Sequence, residues 1–110
     1  LMASTVATTI LEQLGGNKFV MMTGARHFVG GESELQFRLP RIPGSRINAV
    51  RVRLTGRDDY DVSFYFIRSR GMKVDVISEH EGIYAENLRD VFTRATGLET
   101  SLGTMGRREL

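Results

Sequence analysis

From Ser4 to Leu14 the apolar residues Val6, Ile10, Leu11 and Leu14 recur at spacings of four, one and three, which makes a single helical stripe. Ser4 or Thr5 caps its start, and Gly15-Gly16 ends it in a conformation that glycine adopts at little cost. The run Asn17–Gly24, with Phe19-Val20-Met21-Met22 at its centre, is β-prone and predicts a strand. Its continuation, Ala25–Val29, predicts a second short strand or a bend. Gly30-Gly31 marks a turn, and Glu34–Leu39 alternates polar and apolar as a strand does. Pro40–Arg46 holds both prolines and a glycine and predicts a loop.

The next three runs alternate most clearly. Ile47–Thr55 sets Val50, Val52 and Leu54 on one face and Arg51, Arg53 and Thr55 on the other. After the turn Gly56–Asp59, Tyr60–Arg68 places Tyr60, Val62, Phe64 and Phe66 opposite Asp61, Ser63, Tyr65 and Ile67. Ser69-Arg70-Gly71 closes a second hairpin. Met72–Ser78 then predicts Met72, Val74 and Val76 inward, with Lys73, Asp75 and Ile77 outward. Connections this short favour an antiparallel meander.

Glu81-Gly82 breaks the strand pattern, and a second helix is predicted from about Ile83 to Thr96, burying Tyr84, Leu88, Val91, Phe92 and Ala95. Gly97 ends it. Residues 98–110 lack periodicity and read as a flexible tail behind a single domain of residues 1–97. The order helix, four or five strands, helix predicts an α+β fold: an antiparallel sheet with the N- and C-terminal helices packed on one face. The opposite face then carries Gln36, Arg38, Arg51, Arg53, Tyr65, Lys73 and Ile77.

Composition narrows the chemistry. The chain has 110 residues, 41% hydrophobic and 25% charged, which fits a globular domain better than a disordered one. The absence of cysteine excludes disulfides, thiol catalysis and thiolate-bound metals. No apolar run approaches the roughly 18 residues of a membrane span. No basic stretch followed by an apolar one opens the chain, so no membrane contact and a cytoplasmic location are expected. Of 15 basic residues only Lys18 and Lys73 are lysine. Seven arginines (Arg26, Arg38, Arg41, Arg46, Arg51, Arg53, Arg57) fall within residues 26–57, opposed there by only Glu32 and Glu34.

Sites for catalysis are poorly represented. His27 and His80 are the only histidines, and Glu79-His80-Glu81 offers two ligands where zinc or iron takes three or four, so neither a metal nor another cofactor is expected. Gly15-Gly16-Asn17-Lys18 follows a helix, whereas a phosphate loop must precede one. No Gly-x-Ser-x-Gly elbow occurs. A metal-dependent nuclease would draw on Asp58, Asp61, Asp75 and Glu79, although aspartate at a hairpin tip is ordinary turn chemistry.

The arginines point instead to binding. Arg38, Arg51 and Arg53 with Tyr65 on a sheet face, and Arg41, Arg46 and Arg57 in nearby loops, are the expected surface for a partner or for DNA or RNA. Exposed Tyr65, Ile67 and Ile77 on the same face fit coverage by a second copy or another protein equally well. The stretches Ile10–Phe19, Met22–Phe28, Tyr60–Val62 and Tyr84–Leu88 continuing through Phe92–Gly97 resemble a family of small proteins encoded by phages, prophages and related mobile elements. The family has no assigned activity, so no catalytic residues carry over. The resemblance implies a role inside a bacterial host in element replication, assembly or host takeover. The leading expectation is a non-enzymatic binding or scaffolding protein that self-associates or binds a protein partner. Nucleic-acid binding by the arginine face is the alternative, and the nuclease a second one.

Overall fold

A computed structural model describes residues 5–68 and 73–101. The expected cap at Ser4, the turn at Ser69–Gly71, Met72 and the tail from residue 102 onward lie outside the described residues. Within them the chain forms helices α1 (Thr5–Leu14) and α2 (Gly16–Thr23), then strands β1 (Arg26–Gly30), β2 (Glu34–Arg38), β3 (Ala49–Leu54), β4 (Tyr60–Arg68) and β5 (Lys73–Ile83). A single 3-10 turn, Ala85–Asn87, leads into α3 (Leu88–Thr96). The strands make one antiparallel sheet in the order β1-β2-β3-β4-β5. The α+β architecture expected from the sequence is the one observed.

The core lies between one sheet face and the helices. Leu35 and Phe37 of β2, Val50 and Val52 of β3, and Val62 and Phe64 of β4 alternate into it. Ala7, Ile10 and Leu14 of α1 and Leu88 and Phe92 of α3 meet them there. Strict alternation on the strands and spacings of three and four on the helices are what burial on one side only requires.

Three expectations are corrected. The β-prone run after Gly16 is helical, not extended. Its buried residues, Phe19 and Thr23, are four apart, and the Phe19 ring meets Phe37 and Phe92 edge-on at 5.5 and 5.1 Å. Tertiary packing of that one ring overrides the strand preference of its neighbours. Gly24, at φ 75°, closes the helix by donating its N–H to the Val20 carbonyl at 2.9 Å.

The second correction concerns β5, which runs on through Glu81-Gly82 to Ile83. Gly82 adopts φ 70° and the pairing register shifts between Tyr60 and Val62, so the glycine sits in a bulge within the strand. A second shift falls between Phe64, which faces Ser78, and Tyr65, which faces Val76. Ile77 is thereby the extra residue, and a slip of one reverses the facing of everything beyond it. Val74 and Val76 point outward beside Ile67 and Tyr65, Lys73 and Asp75 take the other side, and Ile77 packs against the core.

Third, α3 begins at Leu88, and Tyr84 is exposed instead of buried. Of the expected tail, Leu98 packs on the core and Thr100 is buried, with Arg89 donating to the Thr100 and Ser101 hydroxyls at 3.0 and 2.9 Å.

Candidate functional site

The sheet face turned away from the helices carries Glu34, Gln36 and Arg38 from β2, Arg51 and Arg53 from β3, and Asp61 and Tyr65 from β4. Register decides what these charges do. Arg53 lies directly opposite Asp61, and its guanidinium reaches the carboxylate at 2.7 Å. Arg51 lies opposite Gln36 and turns diagonally to Glu34 at 2.6 Å, while Gln36 donates to the other Glu34 oxygen, also at 2.6 Å. Burial pushes the Glu34 carboxyl up. Hydrogen bonds from Gln36 and Arg51, with the charges of Arg51 and Arg53, outweigh that and hold it below its ordinary value. Arg51 is raised correspondingly, first by its bond to Glu34 and against burial, with Tyr65 adding to the effect.

Beside this paired region lies an apolar strip. Val74 of β5 is 53% exposed and Val76 54%, beside Ile67 and Tyr65 of β4, while Val29, 61% exposed, stands on the opposite edge strand beside Gln36. Small Ala49, opposite both Arg38 and Tyr65, leaves a groove of about 460 Å³ that runs across the sheet from Val74 and Ile67 to Val29.

The meander also sorts charge by end. The turns and strand termini at one end carry Glu32, Glu34, Asp58, Asp59, Asp61, Glu79 and Glu81 among Arg51, Arg53 and Arg57. The other end carries Arg26, Arg38, Arg41, Arg46, Arg68 and Lys73 against Asp75. At this basic end a cleft of about 540 Å³ is walled by Arg26, Arg38, Arg41 and Arg46, with Phe66 and Ile47 contributing apolar surface. Arg46 and Arg68 each hold a guanidinium carbon 5.9 Å from the Phe66 ring centre. Asn48 fixes the mouth of the β2–β3 loop: its amide donates to the Ile67 carbonyl at 3.0 Å and its oxygen accepts from the Ile67 N–H at 2.8 Å. His27 borders both cavities at φ 57°, where the β1–β2 register is irregular.

The expected site residues therefore separate. Arg38, Arg41 and Arg46 come together at the cleft. Arg51 and Arg53, with Tyr65 beside Arg51, form the ion-paired sheet face, and Arg57 lies in the β3–β4 turn near Asp59, at 3.6 Å. Arg26, His27 and Phe66 were not among the sequence candidates. For Arg26 the Gly30-Gly31 turn was the signal, since a tight β1–β2 hairpin sets it opposite Arg38. Asp75, opposite Phe66, stands about 17 Å along the sheet from Asp61, at about 3.4 Å per strand residue. Asp58, Asp61, Asp75 and Glu79 therefore do not converge. Among the described residues no group of three or more His, Asp or Glu side chains is placed to hold a metal ion. None of the helices among them is long and apolar enough to cross a membrane. Comparison with known proteins finds no family model, curated protein or solved structure that matches the chain.

Proposed function

We propose that this is a non-enzymatic binding protein that self-associates through the outer face of its sheet. The observation that carries the reading is the apolar strip of Tyr65, Ile67, Val74 and Val76 along β4 and β5, on the same face as Arg51 and Arg53, which are already matched to carboxylates. Apolar area left in water gains free energy on coverage, at about 25 cal/mol per Å². Ion pairs that are already formed bring no unmatched charge into an interface, which is the costly case. A twofold contact fits such a face because one patch serves both copies. In the phage-type setting implied by the sequence resemblance, such a protein acts within the cytoplasm of a bacterial host, in replication, assembly or takeover, by holding partners.

Light scattering on the purified chain tests the reading. A dimer or larger assembly is expected, and Val76→Lys, which needs no change in the core, is expected to return it to monomer. A wild-type monomer at high concentration would sink self-association.

A further inference from the structure

The basic-end cleft carries chemistry that self-association does not use. Ten of the arginines lie among the described residues. Arg51, Arg53, Arg57, Arg68 and Arg94 are ion-paired, and Arg89 is bonded to Thr100 and Ser101. The four that remain without an ion pair or side-chain hydrogen bond among the described residues are Arg26, Arg38, Arg41 and Arg46, the four that wall this one cleft. Four unmatched guanidiniums around one cavity repel each other and cost stability, so their grouping favours an anion between them.

The kind of anion follows from shape and lining. A guanidinium presents a planar fork of donors that matches a phosphate in bidentate fashion, and four forks exceed what a single phosphate takes. The volume, about 540 Å³, is that of a small-ligand site, and Phe66 with Ile47 gives it an apolar wall. Phosphates attached to a flat, partly apolar group fit both halves. His27, in the left-handed region where a non-glycine residue is strained, stands at the edge of the cavity; strain of this kind gathers at ligand sites.

We propose that the cleft binds nucleotide phosphates, presented either by a single nucleic-acid strand or by a free nucleoside polyphosphate. The cleft adjoins the proposed self-association face at Arg38 and His27, but Val76 lies on β5 outside its lining, so Val76→Lys is expected to leave it intact.

Fluorescence anisotropy with a labelled oligothymidylate of about ten nucleotides, and calorimetry with ATP, test it across a salt series. Should a strand be the ligand, the logarithm of affinity falls with the logarithm of salt at a slope near −2.8 for four neutralised phosphates, and Arg41→Ala reduces that slope by about 0.7. Should a free nucleotide be the ligand, ATP binds one per chain, competes the oligonucleotide away, and weakens at least tenfold in the Arg38→Ala/Arg41→Ala double variant. Arg41 is an exposed loop residue, so its replacement leaves the fold intact, which circular dichroism verifies. The proposal is overturned if neither probe binds at about 50 mM salt. It is equally overturned if binding survives the Arg38/Arg41 double variant unchanged while Arg51→Ala/Arg53→Ala abolishes it.

Discussion

On the outer face Glu34 accepts from Gln36 and Arg51 while Arg53 adds its charge. A carboxyl held below its ordinary value of 4.5 stabilises the folded state above that pH, and the contribution is lost as pH falls through the folded value. Thermal melts at stepped pH are therefore expected to show stability dropping below about pH 4.5, and Glu34→Gln is expected to flatten that acid limb. Gly24 is a second informative residue. Its φ of 75° disfavours any side chain, and an added Cβ would lie 3.0 Å from the Pro40 ring. Gly24→Ala is expected to destabilise by about 1 kcal/mol or more, read by denaturant titration. Both residues are visible in the sequence, but their roles depend on which strands pair. The diagonal reach of Arg51 to Glu34 exists only in the observed β2–β3 register.

At the scale of elements, the alternating runs of β2, β3 and β4 were legible because each buries one face only, and period two then appears directly in the residue types. Two elements were not. The β-prone composition of α2 conceals a helix whose largest buried side chain, Phe19, is wedged between a strand and α3. Phe19→Ala is accordingly expected to cost about 3–5 kcal/mol in chemical denaturation, more than a ring on an ordinary surface helix would. In β5 the alternation is regular in sequence, Val74 and Val76 against Lys73 and Asp75, yet the bulge at Ile77 turns it over. A bulge inserts a residue without leaving a compositional mark, so the facing of a strand beyond it cannot be read from periodicity. Val74 and Val76, the β5 part of the candidate interface, were hidden for that reason, whereas Arg51, Arg53, Tyr65 and Ile67 were placed on the outer face correctly.

For the molecule as a whole, the excess of arginine in residues 26–57 was visible in the sequence, and the antiparallel meander turns it into a spatial polarity. Alternate chain segments return to the same end, so Arg26, Arg38, Arg41 and Arg46 meet although the first and last are separated by two strands and a loop. Strand alternation rightly set Arg38, Arg51 and Arg53 on one face, but it does not show that Arg51 and Arg53 lie toward the opposite end of it from Arg38. The ladder sends those two toward the carboxylates of the other end.

The strand order has one more consequence, for the way the chain reaches this structure. Every strand pairs only with its neighbours in sequence, and no crossover connection is needed to finish the sheet. Loop closure is thus short at each step, and the entropy lost in bringing partners together stays small. The main long reach is the docking of α3 beside α1, joining the two ends of the folded segment. Such a topology lowers the mean separation between contacting residues, and refolding on the faster side of mixed α and β domains follows from it. Stopped-flow refolding is the measurement: Phe92→Ala, at the α3 contact, should speed unfolding more than it slows folding if the meander forms first.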